Sequence, residues 1–233
     1  EPGLASAWGT LSQLLRYRGR FAESDAAARR ALAEDAYLEG ANVLLNRLFF
    51  SSLLSDSVAR ADALCRQGGE RFRSDWKFVE CRLLLLRADV ARPPDTAAAM
   101  RLLAELDRVD PPERARREGR GYSPLFRRVV AAAVVARAGD GDRARAMVAR
   151  ARQEAGDDEE LRISLAYDEA YVQRALGHPD SALALLERTF TRRPSLRDYA
   201  VRDPLFRGLW PASPRRPSGD PTVAGRAPSP PGP

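Results

Sequence analysis

The sequence has very few of the side chains on which most enzyme active sites and metal centres depend. Its 233 residues include one histidine, His178, and two cysteines, Cys65 and Cys81. A Ser-His-Asp or Cys-His site needs a histidine beside its nucleophile, and the chain contains no nucleophile-elbow sequence. Structural zinc needs about four nitrogen or sulfur ligands, whereas these three residues are scattered. Glycoside chemistry by two paired carboxylates remains an alternative, but no particular pair of Asp or Glu stands out in the sequence. We expect no enzyme activity and no cofactor.

Long apolar runs and strand-like alternation are also missing. The longest apolar run, from Val129 to Ala136, has eight residues, whereas a membrane-spanning helix needs about 20. No segment alternates Val, Ile, Thr and aromatic residues with polar ones, as half-buried strands do. The abundant residues are Ala, Leu, Arg and Glu, which are strong helix formers. The composition predicts a helical protein with no membrane span, for which a cytoplasmic location is favoured.

Lysine is nearly absent. Lys77 is the single lysine among 38 basic residues, so the net charge of +6 comes from arginine. The 32 acidic residues are spread among the arginines, as on helices with ion pairs between residues four apart. The densest basic stretch runs from Arg114 to Arg128, with Glu113 directly before it and Glu118 within it. We interpret it as a solvated loop and keep nucleic-acid binding by this segment as an alternative.

A pattern of mostly small residues recurs five times along the chain. It starts at a turn residue and advances by five, four, three and five positions. The starting residues are Gly19, Leu54, Pro94, Gly139 and Gly177, which lie 35, 40, 45 and 38 residues apart. The positions reached are Ser24, Ala28, Ala31 and Ala36; Ala59, Ala63, Arg66 and Arg71; Ala99, Leu103, Leu106 and Pro111; Ala144, Val148, Ala151 and Gly156; and Ala182, Leu186, Thr189 and Pro194.

Each recurrence predicts a turn followed by the second helix of a pair. A small residue five positions on allows the second helix to pack closely on the first, and the next two positions share its face. The closing Pro or Gly ends the helix. The expected helix starts are Ser55 or Asp56, Asp95 or Thr96, Asp140 or Asp142, Asp157 with Glu160 as a capping box, and Pro179 in a first turn.

The pattern resembles the tetratricopeptide repeat family over about residues 5–210. The matching residues are Trp8, Leu11, Leu15, Gly19, Phe21, Ala28 and Ala31 in the first repeat, and Gly177, Ala182, Leu186 and Pro194 in the fifth. The resemblance implies an all-α fold, a right-handed α-solenoid of about five antiparallel helix pairs with a short closing helix.

Two segments that differ in composition from the repeats follow the last repeat. The segment from Ser195 to Trp210 is predicted to close the array, with Tyr199, Leu205, Phe206, Leu209 and Trp210 covering the last repeat. Its Arg-Asp-Pro sequence is similar to the ends of repeat arrays fused to bacterial regulators. Residues 211–233 contain eight prolines and almost no large apolar side chain. We therefore predict a repeat domain over residues 1–210 and a disordered tail.

Two further features have plain interpretations. Cys65 and Cys81 lie in helical patterns and are interpreted as free packing thiols, because a disulfide requires a close approach that spacing does not show. His178 begins a His-Pro-Asp tripeptide that co-chaperone J-domains also contain. Because the segment from Gly177 to Ala182 fits the repeat in register, we interpret the tripeptide as a repeat turn.

The resemblance implies a protein-interaction module, in which the first helix of each pair lines a concave groove that holds peptides. We expect a protein or peptide partner and no nucleic acid, within a larger bacterial regulatory or sensing protein. Each lining residue could instead pack between repeats. The residues placed on the groove are Gln13, Arg16, Leu44, Leu48, Phe126, Val129, Tyr167, Tyr171 and Arg174.

Overall fold

The computed structural model describes residues 2–35 and 37–210, which form twelve α-helices and one 3-10 turn. Ten helices form five pairs: α1 (Pro2–Tyr17) with α2 (Phe21–Glu34), α3 (Ala41–Leu54) with α4 (Val58–Arg71), α5 (Trp76–Ala88) with α6 (Thr96–Val109), α8 (Tyr122–Arg137) with α9 (Gly141–Ala155), and α10 (Glu159–Ala175) with α11 (Pro179–Arg192). The short α7 (Pro112–Arg117) precedes α8, and α12 (Leu196–Arg202) and the 3-10 turn (Pro204–Phe206) follow α11.

The predicted all-α, solenoid-like fold is confirmed, and no strand occurs among residues 2–35 and 37–210. First helices of neighbouring pairs contact one another, α3 with α5, α5 with α8, and α8 with α10. Each second helix packs against its own first helix, and the first four also pack against the first helix of the next pair. The predicted disordered tail, residues 211–233, lies outside the described residues.

Aspartate caps fix several helix starts. Asp95 and Asp140 each accept a hydrogen bond from the backbone N–H three residues on, at 2.7 and 3.2 Å, which confirms two predicted caps. The start of α10 differs from the prediction, because Asp158 rather than Asp157 accepts the capping bond, at 3.0 Å. Pro179 begins α11, as predicted, since a first-turn proline loses no helical hydrogen bond.

The small-residue pattern is confirmed in the first, third, fourth and fifth pairs. Ala28, Ala99, Ala144 and Ala182 are fully buried where the second helices meet their neighbours. Alanine at these positions allows the backbones to approach, so the repeat register follows from the need for close packing. Ala36, the last member of the first set, lies outside the described residues.

The predicted register of the second pair is wrong by two residues. Ala59 and Ala63 are exposed on α4, although both were expected at the contact. The same spacing of four and three residues is instead carried by the buried residues of α4, which are Ala61, Cys65 and Gly68.

The error arises from the turn residue. Counting back from the buried set, the second turn begins at Asp56 rather than Leu54, and Asp56 has a φ of 56°. Gly19, Gly139 and Gly177 adopt the same left-handed conformation at the corresponding turns. Aspartate enters this region more readily than most residues with a Cβ. The turn therefore forms without the glycine that would have revealed it.

Helices α4 and α5 approach each other closely, and a disulfide joins them. A Cβ on Gly68 would overlap the ring of Phe78 on α5. Cys65 on α4 and Cys81 on α5 are bonded, with their Cα atoms 5.9 Å apart, a normal separation for a disulfide. The prediction of free thiols is wrong, because each cysteine lies on the face by which its helix packs against the other.

The closing segment, residues 195–210, covers the last pair as expected. Phe206 and Leu209 are buried against it, and the Trp210 ring stacks beside Phe190 of α11, with centroids 6.5 Å apart. Tyr199 differs from the prediction, because its ring contacts an aromatic residue at the start of α2, Phe21, edge to face at 5.2 Å.

The same segment also reaches the second pair. Arg207 forms a 2.9 Å ion pair with Asp56, across 151 positions of sequence. Together with the Tyr199 contact, this shows that the stack curves until its last elements meet the turns of the first two pairs. The closing segment thus passes along one edge of the array, where the first helices end.

A buried ionic network joins the third and fourth pairs. Arg127 on α8 is fully buried, and its guanidinium donates to Glu80 of α5 at 2.7 Å and to Asp110 at 2.8 Å. Asp110 also accepts two hydrogen bonds from Arg120, at 2.7 and 2.8 Å. Trp76 lies against both guanidinium groups, whose central carbons are 4.7 and 4.8 Å from its ring centroid.

The network sets the ionisation of its carboxylates. Burial raises the pKa of Glu80 above its usual value, although Arg127 acts in the opposite direction. Burial would also raise the pKa of Asp110, but hydrogen bonds from Arg120 and Arg127 leave it below its usual value. Each charge in this network has a partner, as buried ions require.

Candidate functional site

A basic cavity lies where three first helices end. It encloses about 290 Å³. Arg87, Arg137 and Arg174 line it, and each belongs to the last turn of its helix, α5, α8 and α10 respectively. The closing segment supplies part of the wall through Pro204 and Leu205. We call this cavity the basic pocket.

Arg137 is fixed by backbone carbonyl groups. Its guanidinium donates to the carbonyl oxygens of Leu86 and Arg87 at 2.9 and 3.3 Å, and to those of Asp89 and Arg92 at 3.2 and 2.9 Å. These carbonyl groups lie at and beyond the end of α5, where a helix carries partial negative charge. Arg137 therefore joins α8 to α5 and closes one side of the basic pocket.

Arg87 is buried and has no hydrogen-bonded side-chain partner within the described part of the chain. It is 9% exposed, and its Nε has no hydrogen-bond acceptor among residues 2–35 and 37–210. The guanidinium carbon lies 3.9 Å from the ring centroid of Tyr171, within range of a cation–π interaction. A buried arginine normally pairs with a carboxylate or carbonyl group, because desolvating its charge is costly. The basic pocket thus contains an unmatched cation.

Asp168 lies near Arg87 but does not form an ion pair with it. Burial raises the pKa of Asp168 to about 7, with Glu80 acting in the same direction and Arg87 in the opposite one. Its Oδ2 is buried and has no hydrogen-bond donor within the described part of the chain. Near neutral pH the carboxyl group is therefore partly protonated, and it neutralises Arg87 incompletely.

Tyr171 forms the inner wall of the basic pocket. Its hydroxyl donates to Asp203 at 2.6 Å, and its ring stacks on Phe206 with centroids 4.2 Å apart. Tyr167 meets the ring of Phe206 edge to face at 5.9 Å. Burial and the nearby Asp203 carboxylate raise the pKa of Tyr171 well above its usual value, so it remains a donor. The closing segment is thereby locked onto α10.

The residues predicted to line a groove lie in several separate places. Leu48 and Val129 are core residues, at most 2% exposed, so they pack between helices and their predicted position is corrected. Leu44 is also nearly buried, at 4% exposed, but it borders the cavity that Gln13 lines. The physical reason is that the first helices touch neighbours on more than one side, so a larger share of each surface becomes core.

The remaining predicted residues are divided between the two ends of the array. Gln13 is exposed and lines a cavity between α1 and α3, and the guanidinium carbon of Arg16 lies 5.7 Å from the ring centroid of Phe21. Phe126 is half-buried beside Tyr122. The structure brings Tyr171 and Arg174 to the basic pocket, with Tyr167 packed behind them. The predicted residues therefore do not form one continuous groove.

Sequence reasoning missed Arg87, Arg137 and Asp168. A signal for the two arginines was present, since most first helices carry an arginine in their last turn: Arg16, Arg87, Arg137 and Arg174. An arginine there is ordinarily explained by attraction to the helix end. Only the packing of α5, α8 and α10 side by side shows that three of these residues meet.

Other kinds of site are not evident in the described residues. Over residues 2–35 and 37–210, no group of three or more His, Cys, Asp or Glu side chains could hold a metal ion. None of the described helices is long and apolar enough to cross a membrane. Comparisons with protein-family models, curated proteins and solved structures give no match.

Proposed function

We propose that this chain is a protein-interaction module of the tetratricopeptide type that holds a peptide of its partner at the basic pocket. Arg87 carries the proposal, because its buried guanidinium lines an open cavity and has no paired acceptor among the residues that the structure describes. A buried donor without an acceptor destabilises the folded state, and a bound ligand that supplies the acceptor would offset this loss. Its place within a larger bacterial regulatory protein remains part of the proposal.

The pocket has the mixed character of a recognition site. Val90, Ala133, Ala175 and Leu205 supply apolar wall, and the arginines supply charge. Pockets that hold small ligands or single side chains commonly combine an apolar lining with a few polar groups that orient the ligand. A volume of about 290 Å³ suits one or two side chains of a peptide rather than a whole folded surface.

The alternative, nucleic-acid binding by the segment from Arg114 to Arg128, has less support. Phosphate contacts need cations that are free to release counterions. Five of the six arginines in this segment instead pair with carboxylates of the chain itself: Arg114 with Glu118, Arg116 with Glu113, Arg120 with Asp110, Arg127 with Glu80, and Arg128 with Glu154.

A peptide selection tests the proposal even while the partner is unidentified. Random dodecapeptides displayed on phage are selected against the immobilised protein, and enriched peptides are synthesised for calorimetry. Ala175→Phe fills the basic pocket with a ring and should weaken their binding by tenfold or more. Ala63→Phe, on the exposed side of α4, is the matched control and should bind normally. Failure to enrich any peptide, or equal binding by both variants, would refute the pocket as the site.

A further inference from the structure

The charges around the basic pocket do not balance. Arg87 and Arg174 face it without a hydrogen bond or ion pair to any of the residues described in the structure, 2–35 and 37–210. The Arg137 guanidinium donates its hydrogen bonds to backbone carbonyl groups, which are uncharged, so it contributes a third positive charge. Two carboxylates lie nearby, Asp203, which accepts a hydrogen bond from the Tyr171 hydroxyl, and the buried, partly protonated Asp168, so the three arginines face at most two negative charges. A net positive charge therefore remains beside the cavity.

The closing segment shows which chemistry this edge of the array accepts. Its Asp-Pro-Leu-Phe sequence, residues 203–206, presents a carboxylate to Tyr171 and, three residues later, an aromatic ring that stacks on the same side chain. An acidic residue followed by apolar ones thus already packs here. The basic pocket lies beside this segment, with apolar wall from Leu205 and Val90 and with unmatched cations.

We infer that the basic pocket binds the side-chain carboxylate of an aspartate or glutamate in the partner peptide, with an adjacent apolar residue packed against Val90 and Leu205. This inference rests on the proposed function and specifies its ligand. The planar guanidinium of Arg87, which lines the cavity, matches a carboxylate geometrically, and its terminal Nη groups would donate charge-assisted hydrogen bonds to the ligand.

A single negative charge fits the pocket better than two. Three helices end at the cavity, and their last carbonyl groups carry partial negative charge. Arg137 offsets the end of α5 directly, but the ends of α8 and α10 lie beside the same space. A dianionic phosphate would also cost more to desolvate than a monoanionic carboxylate, because much of the cavity wall is apolar.

The test uses N-acetyl-aspartyl-leucinamide and its uncharged isostere N-acetyl-asparaginyl-leucinamide. Binding is followed by NMR through the Nε–Hε signals of the arginines in the intact chain, and Arg87→Met identifies the signal of Arg87. The aspartyl peptide should shift that signal, with a millimolar Kd at least tenfold lower than that of the asparaginyl peptide. Added salt should weaken the aspartyl peptide selectively.

Variants separate a specific contact from a general attraction. Arg87→Met should abolish the preference for the aspartyl peptide, and Arg174→Gln, an exposed change that cannot unfold the core, should reduce it several-fold. Arg117→Gln, exposed and not part of the pocket lining, should leave it unchanged. Thermal unfolding of each variant confirms that the fold is retained.

The other possible results distinguish a failure of the carboxylate inference from a failure of the proposed function. Equal affinity for the two dipeptides, binding that leaves the Arg87 signal in place, or no binding of either would overturn the carboxylate inference. Peptides from the selection would then still establish the pocket as an uncharged binding site. Tighter binding of a phosphoseryl dipeptide than of the aspartyl dipeptide would mean that the pocket recognises phosphate rather than carboxylate. Failure of the selection itself would instead overturn the proposed function.

Discussion

Arg127 and Arg87 are both buried arginines on first helices, yet their surroundings differ. Arg127 donates to Glu80 and to Asp110 at 2.7 and 2.8 Å, and Trp76 covers its guanidinium. Arg87 has an aromatic ring on one side, no acceptor for its Nε–H among residues 2–35 and 37–210, and an open cavity beside it. Both side chains are charged and buried, but they differ in the supply of acceptors and in the cavity that only Arg87 of the two lines.

The difference separates a residue that holds the fold together from one that can hold a ligand. A buried cation with all its acceptors in place belongs to the architecture, since removing it leaves buried carboxylates unpaired. A buried cation without them is a cost to folding unless a partner completes its hydrogen bonds. Stability measurements and ligand binding should therefore rank the two arginines in opposite order.

The largest effect is expected from Arg127→Met. Losing this guanidinium leaves Glu80 buried without a counter-ion, so the free energy of unfolding should fall by about 3–5 kcal/mol. Arg128→Met is the matched control on the same helix. Its pair with Glu154 is partly exposed, so the loss should stay below about 1 kcal/mol. Urea unfolding monitored by circular dichroism measures both.

A second substitution sharpens the result. Glu80→Gln in the Arg127→Met background removes the unpaired carboxylate and should recover part of the lost stability. Equal losses in Arg127→Met and Arg128→Met would contradict the assignment of Arg127 as the centre of the network.

Asp168→Asn should have an intermediate effect that depends on pH. Burial raises the pKa of Asp168 to about 7, above its usual 3.8. Between these values the folded state binds a proton that the unfolded state has lost, so the contribution of Asp168 to stability falls as pH rises through this window. Relative to wild type, Asp168→Asn should gain about 1–4 kcal/mol at pH 8 over its value at pH 5.

The measurement is urea unfolding of both proteins at several pH values between 5 and 8. Asp157→Asn, in the exposed acidic turn before α10, serves as the surface control for the loss of one carboxyl group. A difference in stability between wild type and Asp168→Asn that stays constant across this range would contradict the inference that Asp168 is partly protonated near neutral pH.

The smallest stability change is expected from Arg87→Met. The substitution removes a buried charge without hydrogen bonds, which is favourable, and loses the contact with Tyr171 and the attraction to Asp168, which is unfavourable. These contributions should nearly cancel, so the free energy of unfolding should change by less than about 1 kcal/mol. A loss as large as that of Arg127→Met, measured by urea unfolding, would mean that Arg87 is structural.

Much of the architecture follows from the sequence alone. Alanine at the repeated contact positions, such as Ala144 and Ala182, and helix-ending signals such as Gly177 identify four of the five pairs. These features are local, because helix propensity, capping and close packing act between residues a few turns apart. The closing role of Phe206 was also predictable, since a repeat array must cover its last apolar surface.

The tertiary structure alone decided the rest. Asp56 adopts a left-handed backbone conformation that its residue type does not predict. For this reason the repeat register of the second pair lies two residues later than the sequence pattern indicated. The disulfide between Cys65 and Cys81 depends on how α4 meets α5. The basic pocket combines Arg87 and Arg174, which are far apart in sequence, through the stacking of their helices. Whether a buried charge has an acceptor depends on distances set by that stacking, and local patterns contain no information about those distances.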